Sequence, residues 1–183
     1  FNSVSFETTF EDVPIVMLQV QTNNGVNWEV ARIGEITETG FTYLIEEREA
    51  QKDGRHTTEV IGYAAMDADS EDGVIDWDGV AAQAYSTGKT VNHDPTAFTF
   101  DEDIGLDPLV SGNLASYFGG NTANLRLADV TNDGEAATAY FVASEEKSLD
   151  DEVWHAREVV EGIAFEEAAV LYGEAYVDDI VFV

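Results

Sequence analysis

The chain repeats itself. Displaced by 94 residues, Phe6 meets Phe100, Pro14 meets Pro108, Val16 meets Val110, Gly25 meets Gly119, Asn27 meets Asn121 and Arg32 meets Arg126. "ITETG" (36–40) falls on "VTNDG" (130–134), and apolar character persists where identity fails, as in Ile15 with Leu109 and Ile33 with Leu127. The displacement then grows to 99, so that Glu46 meets Glu145 and His56, with Glu59 and Val60, meets His155, with Glu158 and Val159. A one-residue insertion near Gly162 closes the alignment. Similarity sustained over such a span marks one structural unit copied whole. Whatever the first stretch folds into, the second must fold into as well. The expected units are residues 1–72 and 73–183.

Alternation sets the class of that unit. "IVMLQVQT" (15–22), "WEVARIGEIT" (28–37), "FTYLIEE" (41–47) and "TTEVIGYAAM" (57–66) are rich in β-branched and aromatic residues, which favour a half-buried pleated surface. "TNNG" (22–25), "TETG" (37–40) and "KDG" (52–54) separate them with turn residues. Strands at about ten-residue spacing predict two tandem antiparallel β-sandwich repeats, an all-β chain. "HAREVVEGIAFEEAAVL" (155–171) has a helix-like composition, but its alignment with "HTTEVIGYAAMD" predicts a strand. The stretch ahead of the second unit predicts a first strand near 79–86. The tail Tyr176–Val183 is expected to form a strand that completes the first unit or adds to a neighbour's sheet edge; the plainer alternative is a last strand of the second unit.

Charge narrows the partners. Asp and Glu number 37 against 8 Lys and Arg, a net −29. A nucleic-acid surface needs clustered cations, which this chain lacks, and an anionic membrane would repel it. Such acidity suits a solvated surface in high salt, as in halophilic proteins, or calcium held by carboxylate oxygens. The first candidate loop for calcium is "MDADSEDG" (66–73), with Asp67, Asp69 and Asp72, which lacks the Gly and Glu positions of an EF-hand; "FDEDIGLD" (100–107) and "EEKSLDDE" (145–152) are read in the same way. Cysteine is absent, so disulfides and thiolate sites are excluded. No apolar run of about 18 residues predicts insertion in a membrane.

The histidine motif has two readings. In a strand, Glu59 lies on the opposite face from His56, so the two are not expected to meet. A cross-strand contact of His56 with Glu47 or Glu49, steadying a hairpin, is the structural reading; a ligand site is the other. Trp28 is expected to pack in the core or between the units. His93 is expected in an exposed loop. No Ser–His–Asp arrangement has support, and among 37 acidic residues any carboxylate pair can be proposed for a glycosidase, so the chain is read as non-catalytic.

The pattern "F…P-hydrophobic-V…G…W-x-V-x-R…T-x-x-G-F…E-E…H-x-x-E…Y-x-A" resembles the H-type lectin domain, and more closely the H-type-lectin-like repeats of large bacterial surface and secreted proteins. The resemblance spans nearly the whole of each unit. It implies a sandwich of about six strands, binding of N-acetylgalactosamine-type sugars, and trimeric assembly. It implies sugar hydroxyls held by an arginine and a histidine beside an aromatic ring: Arg32 and His56 in the first unit, Arg126 and His155 with Trp154 in the second. Guanidinium and imidazole are directional donors to hydroxyls, and an indole face covers the apolar side of a sugar ring. The expected function is an extracellular or cell-surface, carbohydrate-binding or adhesive module of a salt-adapted microbe. Its partner would be a glycan or cell-surface polysaccharide, with assembly into homo-oligomers or alongside neighbouring copies. The rival is a structural repeat of a surface polymer, joined by strand exchange and without a small ligand.

Overall fold

The computed structural model describes residues 1–25, 28–47, 58–67, 74–77, 79–145 and 154–166. The expectations for His56, Asp69, Asp72, Glu49, the "KDG" turn and the tail 176–183 lie outside the described residues. Within them the chain is all-β, and every strand pairing is antiparallel. The one helical element described is a 3-10 turn, Glu102–Ile104. No described helix is long and apolar enough to cross a membrane.

Five strands come first: β1 (Asn2–Ser5), β2 (Ile15–Val20), β3 (Glu29–Thr37), β4 (Gly40–Glu47) and β5 (Ile61–Met66). They pair as β1-β4-β3 and β2-β5. Seven follow: β6 (Val74–Trp77), β7 (Val80–Val91), β8 (Thr96–Thr99), β9 (Leu109–Leu114), β10 (Ala123–Asn132), β11 (Ala137–Glu145) and β12 (Glu158–Phe165). They pair as β8-β11-β10 and β6-β7-β12-β9. The order β1-β4-β3 thus recurs as β8-β11-β10, and the pair β2-β5 recurs as β9-β12. The bulge of the β3–β4 hairpin follows Ile33; that of β10–β11 follows Leu127, 94 positions on.

The strands form where the period of two is cleanest. Along β11, Ala137, Ala139, Phe141 and Ala143 are buried while Thr138, Tyr140, Val142 and Ser144 are not, as a pleat with one covered face requires. The small alanines leave room for large rings from the facing sheet. Tyr85 of β7 stacks on Phe141 at 5.6 Å and meets Phe100 edge-on at 5.4 Å. The first half has its own ring cluster, with Phe41 against Tyr63 at 5.2 Å and Phe6 against Phe41 at 5.9 Å. The predicted first strand of the second half, near 79–86, is longer than expected and runs to Val91. β12 is a strand despite its helix-like composition: neighbours on both sides, β7 and β9, supply ladder partners, and tertiary pairing overrides local propensity.

The two cores are not cleanly separated at residue 72. Ala115 belongs to the cluster of Val4, Val16, Leu18, Ile33, Phe41, Tyr43 and Ile61, and Val159 packs against it. Polar bonds also cross. The Val16 and Leu18 amides of β2 donate to Glu161 Oε2 and Asn113 Oδ1, both at 3.4 Å, and Thr122 Oγ1 donates to the Glu47 carbonyl at 2.6 Å.

Within the second sheet, Gly162 of β12 and Gly112 of β9 sit directly opposite each other. The Tyr85 hydroxyl crosses above them to donate to the Ser111 carbonyl at 2.9 Å. A Cβ on Gly162 would meet the Ser111 oxygen at 2.0 Å and the Gly112 Cα at 2.7 Å. Both are backbone atoms that cannot swing aside. Gly162→Ala is therefore expected to lower stability by about 2–3 kcal/mol in chemical denaturation. Gly120→Ala, where a Cβ meets nothing within 4 Å, is expected to change it by less than about 0.5 kcal/mol.

Candidate functional site

The glutamates of the two His-x-x-Glu stretches do the same thing. In the first half the Glu59 carboxylate accepts from the amides of Asn24 and Gly25, at 2.8 and 2.9 Å, and from the Thr22 hydroxyl. In the second half Glu158 accepts from the amides of Phe118 and Gly119, at 3.0 and 2.8 Å, and from the Ser116 hydroxyl. Each hydroxyl in turn accepts from the amide after its glutamate: Val60 to Thr22 at 2.8 Å, Val159 to Ser116 at 2.7 Å. A buried carboxylate thus gathers the orphan amides of the loop that follows β2 or β9, as buried polar groups must be satisfied. Sequence reasoning missed this clamp. Its trace was the joint alignment of Thr22 with Ser116, Gly25 with Gly119 and Glu59 with Glu158.

Glu158 carries two further partners. The Arg32 guanidinium, fully buried, donates through Nη2 to Glu158 Oε1 at 2.8 Å and to the Ser116 carbonyl at 2.9 Å. Through Nη1 it reaches Glu46 at 3.3 Å, and its Cζ lies 5.3 Å from the centre of the Tyr117 ring. Tyr117 closes the circuit by donating to Glu46 at 3.0 Å. His155 lies against the other side: Nε2 is 3.0 Å from Glu158 and Nδ1 is 2.7 Å from Glu145. The expectation that histidine and glutamate three apart point to opposite faces fails here. Strand β12 begins only at Glu158, so no pleat constrains His155. The ring packs on Gly119, where a Cβ would come within 2.5 Å of it.

Burial alone would raise the Glu158 pKa. Bonds from His155, Ser116 and Gly119, with the Arg32 charge, bring it instead down to about 2. Burial also works against a charged His155, but its bonds to Glu158 and Glu145 outweigh this and hold its pKa above the ordinary 6.5. Glu161, at the crossing of β12 with β2, behaves oppositely. Burial drives its carboxyl up to about 7, against the opposing Val16 and Ser86 hydrogen bonds.

Arg32 and His155 were expected at an open sugar-binding surface; both are enclosed in this network, His155 between two carboxylates and Arg32 with its Nη atoms on Glu46, Glu158 and the Ser116 carbonyl while its buried Nε has no partner among the described residues. Arg126 and Trp154 are exposed. Trp28, expected in the core or between the units, is 73% exposed. It stands at the mouth of a groove of about 290 Å³ lined by Trp28, Glu29, Val30, Thr122, Asn124, Leu125 and Arg126. The start of β3 thus faces the start of β10, and under the 94-residue displacement Trp28 and Val30 correspond to Thr122 and Asn124. Arg126, the counterpart of Arg32, has no hydrogen-bond or ion-pair partner among the described residues. An indole face, two apolar side chains, an amide, a hydroxyl, a carboxylate and a free guanidinium share one open concavity, the composition of a small polar-ligand site.

Trp154, 64% exposed, lies elsewhere, tilted over His93 at 5.3 Å. His93 is half-buried rather than free in a loop, its Nδ1 3.5 Å from the His155 carbonyl. For calcium, Asp67 is exposed, and no group of three or more His, Asp or Glu among the described residues is placed to hold a metal ion. Comparison with family models, with curated proteins and with solved structures finds no match.

The three shifted groups set the pH dependence of stability. A carboxyl lowered to about 2 stabilises fully above 4.5 and loses that as pH falls. A histidine raised above 6.5 stabilises fully below that value and loses it as pH rises. A carboxyl raised to about 7 makes the fold lose stability as pH climbs from 4.5, because the folded chain then holds the extra proton. The melting temperature is therefore expected to peak near pH 4.5 and to decline on the alkaline side, first as Glu161 loses its proton and further, above 6.5, as His155 does. Glu161→Gln should flatten the decline on the alkaline side and leave the acid limb in place. An optimum near pH 8, or an alkaline limb indifferent to this substitution, would contradict the assignment.

Proposed function

We propose that the chain is a non-catalytic carbohydrate-binding module built from two tandem H-type-lectin-like β-sandwich repeats, 1–72 and 73–183, acting outside the cell or at its surface. Its binding face is the groove between β3 and β10. The observation that carries this is the pairing of an exposed Trp28 with an unpartnered Arg126 in one concavity. In a chain with 37 acidic and 8 basic residues, an arginine that meets no carboxylate among the described residues is available to a ligand. A tryptophan left in water forgoes about 1.5–3 kcal/mol of burial, which a stacked pyranose restores. The Arg126 guanidinium supplies directional bonds that distinguish sugar hydroxyls. The repeat itself is supported by the recurring strand order, the coincident bulges and the paired glutamate clamps.

A glycan array probed in about 2 M salt, where long-range repulsion by the protein's own charge is screened, tests this. Selective binding is expected, and Trp28→Ala and Arg126→Ala should each weaken it tenfold or more, at least about 1.4 kcal/mol. Silence across a broad array from folded protein, or binding indifferent to both substitutions, contradicts it.

One observation favours the second reading, a structural repeat joined by strand exchange. β12 is flanked by β9 and β7, whereas its counterpart β5 has only β2 beside it among the described residues. If that edge takes a strand from another copy, deletion of 174–183 should convert oligomers into monomers in light scattering; an unchanged mass would exclude that tail as the donor.

A further inference from the structure

The basic residues of this chain are too few to be scattered at random without consequence. The described ones are Arg32, Lys89, Arg126 and Arg157. Arg32 is sealed in the network. Lys89 and Arg157 are both exposed, and neither has a carboxylate partner among the described residues. They occupy one corner. In the β7–β12 ladder Val91 pairs with Glu158 and Lys89 with Val159, so Arg157, next to Glu158, stands beside the end of β7 from which His93 follows.

Aromatic rings are gathered at the same corner. Lys89 Nζ sits 3.4 Å above the centre of Phe118, which is 53% exposed. Trp154 lies over His93. The two ring pairs are tied together beneath the surface: Phe118 leads into Gly119, Gly119 packs on His155, and His155 follows Trp154 and reaches His93 through its carbonyl. The Phe118 and Gly119 amides are fixed by Glu158. The platform is therefore held by the buried network rather than by the mobile ends of its own side chains. Among the described residues, Asp94, 3.6 Å from His93 and largely exposed, is an acidic side chain placed against it.

We propose that this corner is a second subsite, for an anionic sugar residue of the glycan. The indole of Trp154 covers the ring, and Lys89 and Arg157 meet the carboxylate or sulfate. The ligand class rests on the carbohydrate reading; the location does not depend on the groove. The two are nonetheless close along the chain: Phe118 and Thr122 are four residues apart, so their Cα atoms lie within about 14 Å, a span one oligosaccharide can bridge. Linking two weak subsites in this way raises affinity without new contacts at either. The net charge of −29 opposes approach of an anion through long-range repulsion, but at about 1 M salt the screening length is about 3 Å. Only groups in contact then matter, and here those groups are cationic.

The test is calorimetric titration in about 2 M NaCl with oligogalacturonate, with its methyl ester, and with a sulfated galactose oligomer. The ester keeps the ring and hydroxyls and removes the charge. The wild-type protein is expected to bind at least one of the two anionic oligomers at least tenfold more tightly than the ester. Lys89→Gln/Arg157→Gln should abolish that preference while retaining the affinity for the ester. Trp154→Ala should weaken all binding at this corner, and Trp28→Ala should leave the preference ratio intact. Which anionic arm responds identifies carboxylate or sulfate as the recognised group. Equal binding of charged and esterified forms, a preference that survives the double substitution, or one lost in Trp28→Ala instead, overturns the proposal. Neutral glycan binding with no anionic preference would refute the corner alone; silence toward every glycan would refute the carbohydrate reading with it.

Discussion

A guanidinium taken wholly out of water is among the costliest things a small fold can bury, several kcal/mol before any compensation. Arg32 is such a group, and its position is tolerable only because acceptors converge on it from both halves of the chain: Glu46 from its own side, Glu158 and the Ser116 carbonyl from the other. Glu158 is at the same time the acceptor that organises loop 116–119 and the partner of His155. One contact of 2.8 Å therefore joins the two halves, orders the loop bearing Phe118 and seats the histidine beside Trp154. It also ties β3 to the start of β12, and the start of β3 faces the start of β10 across the groove lined by Trp28 and Arg126.

The halves are alike in backbone and unlike in chemistry. Both carry an arginine at the same place before a bulge, yet Arg32 is enclosed and Arg126 is open to solvent. Glu46 meets Arg32, while its counterpart Glu145 meets His155. Glu59 performs the loop-capping role of Glu158, and no arginine contact accompanies it in the described network. A second buried guanidinium would need a second set of converging acceptors. Leaving Arg126 outside avoids that cost and leaves one cation free beside an indole. What distinguishes the two halves is thus that Arg32 meets carboxylates, whereas Arg126, at the aligned position, meets none among the described residues.

Much of this was legible in the sequence. Alternating β-branched and aromatic residues placed β2 to β5, and the alignment at a displacement of 99 placed a strand, β12, in the helix-like stretch after His155. The turn at Glu38–Thr39 followed from Gly40, where a side chain would collide with the Val4 carbonyl at 2.1 Å. The site was harder to read for a definite reason. Alternation says which residues of a strand share a face, but not which face meets the other half of the molecule. Arg32 and Arg126 are indistinguishable by pattern, and their fates were decided by that meeting. Likewise the pattern left Trp28 open between the core and the seam; it lies at the seam, exposed rather than packed. The pleat argument that sets His56 and Glu59 on opposite faces does not extend to their counterparts, because β12 begins only at Glu158 and leaves His155 outside the strand.

The account depends on Arg32 and Glu158 acting as one unit across the joint. A double-mutant cycle on stability, with Arg32→Met, Glu158→Gln and the pair together, measures that directly. Each single change strands a buried polar group and should cost about 3–5 kcal/mol. The double change should cost far less than their sum, with a coupling of at least about 2 kcal/mol. Additive losses would mean that the two residues stabilise the fold independently, and that the joint on which groove and corner both rest is held by something else.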